Sequence, residues 1–272
     1  MAQRQEFRLF LPADTRLRVV CAASNHTFPR HMHEEFGIGL LIKGGQISAS
    51  GRGQVVSEPG NIITLNPGEV HDGAPIGHHG REWMMIYMAP EFLGDLKTGW
   101  QASGEIEFEK PVIADPSLSQ RFKRAFRIVM ATDQPMRSLA LEEAMLGLLA
   151  PVLARRGVRH LRSTDASLQK VHQMICDDPT ANLSLEDMAR VANVSRFQIL
   201  RAFQAMTGLT PHAFILNRRA ELARRMIMAG VHLAESAAAC GYADQSHMTR
   251  EFKKRYGLRP AAFQTTKILK VE

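Results

Sequence analysis

Three histidines and two arginines are the side chains of this sequence whose types and spacing could do chemistry. His31-Met-His33-Glu-Glu35 precedes an apolar run, and Pro67-Gly-Glu-Val-His71 follows one. Residues two apart on a strand share a face, so His31 and His33 point the same way and His71 can converge on them. Three imidazoles can hold a divalent metal, or they can hydrogen-bond within a small β domain. With Glu35, Asn66 and Glu69 they could instead line a small-molecule pocket. Acids beside histidines suit an amine, an amino acid or a sugar. His78-His79 falls in a Gly-rich turn and reads as exposed loop.

The arginines belong to a repeat. Arg201 matches Arg250, Phe203 matches Phe252, Gly208 matches Gly257 and Pro211 matches Pro260, all at one offset. Upstream, Leu185 matches Leu233 and Ala189 matches Ala237 at an offset one residue shorter. The extra residue falls in a turn, Asn193-Val194 in one copy and Gly241-Tyr242-Ala243 in the other. Each copy reads as short helix, tight turn, capped second helix and glycine, the helix-turn-helix pattern. Such a second helix enters the major groove with a polar outer face. Helical spacing turns Ile199, Ala202, Phe203 and Met206 inward and Arg196, Phe197, Leu200, Arg201 and Gln204 outward. In the second copy Met248 and Phe252 turn in, and Gln245, Ser246, Thr249, Arg250 and Lys253 turn out. Arginine grips guanine O6 and N7 in two hydrogen bonds and glutamine does the same for adenine, whereas Lys253 and Lys254 suit phosphates.

The elements that must position these groups divide the chain in two. Residues 1–154 carry 15 Lys and Arg against 17 Asp and Glu, while residues 155–272 carry 19 against 10. A basic second half points to a polyanion. Eleven of the 20 glycines lie between Gly37 and Gly80, separating the short apolar runs 37–42, 46–50, 61–65 and 83–87. That spacing predicts an all-β barrel or sandwich. From about Ser117 the period becomes helical, with Phe122, Phe126 and Val129 on one helix. A second helix, Leu139 to Leu153 with Arg155-Arg156 in its last turn, is apolar enough either to pack between subunits or to cover the barrel. Residues 157–166 are short, polar and basic, a linker, and everything after Ser167 is helical in pattern. Ser184, Ser195 and Asp244 are N-caps, Thr210-Pro211 opens a long helix, and Asp187 completes a capping box.

The three cysteines lie far apart with no CxxC spacing, against a disulfide framework or zinc ribbon. No uncharged run approaches the ~20 residues that cross a bilayer. The first residues show no secretory pattern, so a cytoplasmic setting is expected. No GxSxG motif or P-loop is present, which leaves the histidines as the sole catalytic candidates.

The run Ala237-Ala-Ala-Cys-Gly-Tyr242, then Ser246 to Phe252 and Tyr256-Gly-Leu-Arg-Pro260, with Ala189–Ser195 and Phe203–Pro211 upstream, resembles the DNA-binding domain of the AraC/XylS transcription regulators. The resemblance implies two helix-turn-helix units joined by a long helix, Pro211 to Ala229, reading successive major grooves. It places base contacts on Arg196, Phe197, Leu200 and Arg201, and on Gln245, Ser246, Thr249 and Arg250. Apolar residues at 197 and 200 depart from polar readout and would act through van der Waals contact, as with thymine methyls. The histidine pattern resembles two cupin motifs, and that family's sensor domain is itself cupin-like. A metal cupin also places a glutamate four or five residues past its second histidine, where this chain has Gly37 and Ile38. No metal and no other cofactor is therefore expected, with His31, His33 and His71 the ligand set if one binds.

The expectation is an α+β multidomain chain. Residues 1–156 form a cupin-like β-barrel with following helices (about 117–156, a dimerisation candidate), 157–166 the linker and 167–272 an all-α tandem helix-turn-helix domain. It is expected to be a DNA-binding regulator, an activator, modulated by a small effector, and not an enzyme. Its expected partners are duplex DNA, the effector, a second copy of the chain and RNA polymerase, with no membrane. The alternatives are a metal-dependent cupin enzyme with a helical appendage, and a ligand-independent regulator controlled by oligomerisation or a protein partner.

Overall fold

A computed structural model describes residues 6–12, 14–96, 106–131, 137–155 and 163–261. They form two compact units, the first running to Arg155 without Phe28–His31 and the second made of Phe28–His31 and the residues from Ser163 onward.

The first unit contains β1 (Glu6–Phe10), β2 (Leu17–Ser24), β3 (Phe28–His31), β4 (Phe36–Lys43), β5 (Gly45–Ser50), β6 (Gly53–Ser57), β7 (Ile62–Leu65), β8 (His71–Ile76) and β9 (Arg81–Met88). There follow α1 (Pro90–Leu96), β10 (Ile106–Phe108), β11 (Val112–Ile113), α2 (Pro116–Met130), α3 (Arg137–Leu149) and β12 (Leu153–Arg155). β3 is the exception among these strands, grouping with the second unit. The strands do not close into the barrel expected from the glycine spacing. They lie in a six-stranded sheet ordered β1-β2-β9-β4-β7-β11, a four-stranded sheet ordered β3-β8-β5-β6, and the pair β10-β12. The reason is visible at one corner. β4 carries a register shift between Leu41 and Lys43, and the chain then turns through Gly44 at φ 72 into β5 of the other sheet. Bulges and glycine corners let a strand leave one sheet for another.

Alternation along the six-stranded sheet sets its two faces. Leu17, Val19, Phe36, Ile38, Leu40, Ile86 and Met88 face α1, α2 and α3, packing with Phe122, Ala125, Met145 and Leu148 into the core. Arg18, Gly37, Gly39, Met85 and Tyr87 alternate to the opposite face. Gly39 is required there, because a Cβ on it would lie 2.6 Å from the Met84 carbonyl oxygen.

The helix expected to reach Leu153 stops at Leu149. Pro151 follows, and a proline cannot continue a helix because it lacks the N–H and clashes with the preceding turn. Leu153–Arg155 is instead a strand on β10, so Arg155 lies in β12, and Arg156 is outside the described residues. The apolar surface of α3 is accounted for within the unit: Ala144, Met145, Leu148 and Leu149 are buried in its core.

The second unit is helical: α4 (Ser163–Asp177), α5 (Leu185–Ala192), α6 (Arg196–Thr207), α7 (Pro211–Met228), α8 (Leu233–Ala239) and α9 (Gln245–Tyr256). The residues 157–162 of the expected linker lie outside those described. No helix among the described residues is long and apolar enough to cross a membrane.

Candidate nucleic-acid interface and effector site

The duplication in the sequence is a duplication in space. α6 and α9 are both 12 residues long, each begins one residue after a capping side chain, and each ends on a left-handed glycine. Ser195 accepts from the Gln198 N–H in a full capping box, and Asp244 accepts from the His247 N–H at 2.6 Å. Gly208 and Gly257 have φ of 79 and 74, values at which a Cβ is strained. Arg201 and Arg250 are each the sixth residue after the cap and both are exposed, so each helix turns its arginine out at the same height. Ile199 and Phe203, and Met248 and Phe252, are fully buried beneath. The turns also correspond. Asn193, at φ 52, and Gly241, at φ 73, are the left-handed residues, and the Val194 and Tyr242 N–H groups each reach back to the alanine five residues earlier at 3.0 Å.

The candidate DNA-facing residues are placed as follows. Arg196, Phe197, Gln204, Gln245, Ser246 and Lys253 are exposed, and Leu200 and Thr249 are half-buried. Phe197 is 65% exposed, a large value for a phenyl ring, and the Arg201 guanidinium lies 5.6 Å from its centroid. Arg196 is held toward α5 by Glu186 at 3.4 Å. Met206, expected to face inward, is 39% exposed, whereas its counterpart Arg255 is buried and donates to Asn217 Oδ1 at 3.0 Å.

Sequence reasoning missed the groups that hold these helices. Arg219 on α7 donates to the carbonyls of Pro179 (2.7 Å) and Thr180 (3.3 Å) ahead of α5, and to Gly241 (2.6 Å) in the second turn. One guanidinium thus ties both copies to the connecting helix. On α9, Tyr256 donates to Glu221 at 3.0 Å, and Glu221 also binds the buried Arg224. The charge of Arg219 in a basic stretch gave no clue, because only the fold brings those carbonyls together.

His31 ends β3, which groups with the second unit, while in the first unit His33 lies in the next loop and His71 opens β8. All three are buried, and the His33 and His71 rings lie 5.3 Å apart, centroid to centroid. His31 Nδ1 donates to the Pro29 carbonyl at 2.7 Å and His71 Nδ1 to the Glu69 carbonyl at 2.9 Å. Since a carbonyl can only accept, both rings carry their proton on Nδ1 and the lone pair on Nε2. Burial holds the His71 pKa below its ordinary value, against the raising influence of Glu69 and Asp72, so the ring is neutral at pH 7. The Gly68 N–H donates to the His33 carbonyl at 2.7 Å and joins two of the three segments.

The other expected pocket residues are committed elsewhere. Glu35 is paired with the buried Arg18 (Nη2 to Oε2, 2.5 Å), whose guanidinium stacks 4.0 Å from the Tyr87 ring centroid. Tyr87 in turn lies 5.4 Å from His33, ring to ring. Glu69 is gripped by Arg52 through two hydrogen bonds of 2.8 and 2.7 Å. Burial alone would raise the Glu69 pKa, but Arg52 outweighs it and keeps the carboxyl ionised. Asn66 pairs with both backbone groups of Phe108. Neither acid is on offer to an amine, and His33 and His71 with Tyr87 and Arg18 make up the polar cluster.

The fold and these two sites define a class: a two-domain transcription regulator with a ligand-binding domain ahead of a helix-turn-helix domain. Comparisons with known proteins agree. Residues 21–149 match the family described as AraC-like ligand binding domain, and residues 188–266 match the one described as helix-turn-helix domain. The HTH-type transcriptional regulator YbfI of Bacillus subtilis is 26% identical, over 81% of each chain. The MmsAB operon regulatory protein of Pseudomonas aeruginosa is 24% identical, over 89% of this chain and 79% of that one. Apo ToxT of Vibrio cholerae shares the fold, with a TM-score of 0.64 at 14% identity over 94% of this chain and 99% of that one. This chain belongs to the AraC/XylS family of transcription regulators and is not an enzyme.

Proposed function

We propose that this regulator reads duplex DNA with α6 and α9, through Arg196, Phe197, Leu200, Arg201 and Gln204 on one and Gln245, Ser246, Thr249, Arg250 and Lys253 on the other. The observation that carries this reading is the matched outward placement of Arg201 and Arg250 on two helices capped at corresponding positions. Domain limits of 1–156, 157–166 and 167–272 belong to the same proposal.

An effector bound at the histidine cluster shifts the population between states that differ in DNA affinity, which requires unequal binding to the two states. Glu35, Asn66 and Glu69 support that cluster through Arg18, Arg52 and Phe108 rather than facing the effector. ToxT of Vibrio cholerae has been solved with an unsaturated fatty acid bound, which supports a small-molecule effector for a fold of this kind. A cytoplasmic setting, self-association, and activation through RNA polymerase complete the reading. Sedimentation velocity tests the self-association, and a monomer at high concentration would remove it.

The experiment for DNA reading is fluorescence anisotropy with a selected operator duplex. Arg201→Ala and Arg250→Ala should each cost ~1–3 kcal/mol at the cognate site and relax preference at a different base pair. Unchanged affinity in both variants would refute the readout.

A further inference from the structure

We propose that α6 reads the C5 methyl group of a pyrimidine standing directly 5′ of a guanine, so that 5-methylcytosine can take the place of thymine there and methylation of a cytosine at that step strengthens binding. This deepens the DNA-reading proposal above and rests on it.

A hydrocarbon ring stands beside a guanidinium on one exposed helix face. Phe197 and Arg201 are four residues apart on α6, and the Arg201 guanidinium carbon lies 5.6 Å from the Phe197 ring centroid. Phe197 is 65% exposed, so its ring gains by covering itself with another apolar group. Residues four apart are neighbours on a helix surface, and a cation beside an aromatic face is attracted to it. The ring therefore limits the conformations open to Arg201 and keeps its exposed fork on the same face. Arg196, in the first turn, is drawn aside to Glu186 at 3.4 Å, so Arg201 is the guanidinium that stays with the ring.

The chemistry of the major groove makes that pair a reader of methyl groups. Guanine offers O6 and N7 to an arginine fork, and thymine offers its C5 methyl to apolar contact. A phenyl ring has no donor or acceptor, so it cannot tell the O4 of thymine from the N4 amino group of cytosine. What it meets is the methyl, which thymine and 5-methylcytosine share and which uracil and cytosine lack. The 5.6 Å separation exceeds the ~3.4 Å rise of one base pair and falls short of two, so ring and guanidinium address adjacent pairs. The second copy supplies an internal control. Ser246 stands where α6 has Phe197, so that place on α9 offers a hydroxyl instead of a ring.

The test uses the full-length chain and duplexes that it selects from a random-sequence library, with affinity read by fluorescence anisotropy. The half-site under α6 is the one where 7-deazaguanine, which lacks N7, weakens wild type and has no further effect in Arg201→Ala. At the pyrimidine before that guanine, thymine should bind about fourfold tighter than uracil, and 5-methylcytosine about fourfold tighter than cytosine, the worth of one buried methyl. Phe197→Ala should erase both differences, and Phe197→Leu should keep part of them. Phe197 is exposed, so both variants should melt with wild type. The same exchanges in the half-site under α9 should change affinity by less than about twofold. Equal binding within each pair of bases, or a methyl effect that survives Phe197→Ala, would overturn the proposal while leaving DNA reading by α6 and α9 intact. Duplexes in which no guanine depends on Arg201 would overturn it as well. Failure to select any duplex would overturn both readings.

Discussion

Helices α6 and α9 have the same length and the same cap and arginine positions, yet they differ in what surrounds that arginine. Around Arg201 the outer surface of α6 is apolar: Phe197 and Met206 are exposed and Leu200 half-exposed. Around Arg250 the surface of α9 is cationic, with Lys253 and Lys254 exposed and Ser246 and Thr249 beside them. Their inner attachments differ as well. Phe203 of α6 packs edge-on against Phe214 of α7 at 5.4 Å, with His172 stacked nearby. α9 adds a polar mesh of Arg255, Asn217, Tyr256, Glu221 and Arg224. One backbone plan thus carries two surfaces, with exposed apolar side chains in the first copy and exposed lysines in the second.

The largest expected effect is at the mesh. Glu221→Ala removes a buried carboxylate to which both Arg224 and Tyr256 donate, which should cost ~3–5 kcal/mol of stability in urea unfolding of the full chain. A loss below about 1 kcal/mol would mean the mesh is ornamental and that both copies are held by apolar packing alone. Next comes Arg219, whose hydrogen bonds serve both copies. Arg219→Ala should cost ~1.5–3 kcal/mol, and it should weaken binding to an operator carrying both half-sites more than to either half-site alone. Equal losses on all three duplexes would show that Arg219 stabilises the fold without setting the relation between the helices.

Smaller effects separate the two outer faces. Lys253→Ala should lower the slope of log affinity against log salt by about 1 without changing sequence preference. Phe197→Ala should leave that slope intact and cost about 1 kcal/mol of discrimination against a thymine-lacking site. The reverse pattern would overturn the division of labour.

The smallest effect is a pH dependence at Glu251 in the second copy. Burial would raise the Glu251 pKa, but Arg255 at 2.7 Å dominates and holds it below its ordinary value. A depressed folded pKa gives stability that is present above the unfolded value and lost as pH falls toward the folded one. Glu251→Ala should therefore flatten the acid limb of the melting temperature between about pH 5 and pH 3. The matching first-copy residue is Ala202, which can contribute nothing of the kind.

Much of the second unit was legible beforehand because its information is local. Capping residues, an inward Phe203 or Phe252 and a terminal glycine all act within one or two turns of their own helix. Met206 shows where that stops: its spacing matches an inward residue, yet it is exposed, because spacing does not say whether a neighbour covers the last turn. In the first unit the short strands were readable from glycine punctuation, but closure was not. Whether β4 continues a ladder or turns at Gly44 into the other sheet depends on long-range pairing.

The sequence by itself determined the tandem reading plan, since each side chain in a helix is oriented by its own backbone a few residues away. Tertiary structure alone decided which polar groups of the sensor half are available. Glu35 and Glu69 were consigned to Arg18 and Arg52, each 17 residues distant. His33 and His71 met because segments far apart in the chain became neighbours. Those pairings depend on which segments the fold makes adjacent, and a partner brought from afar leaves no periodicity in the order of residues.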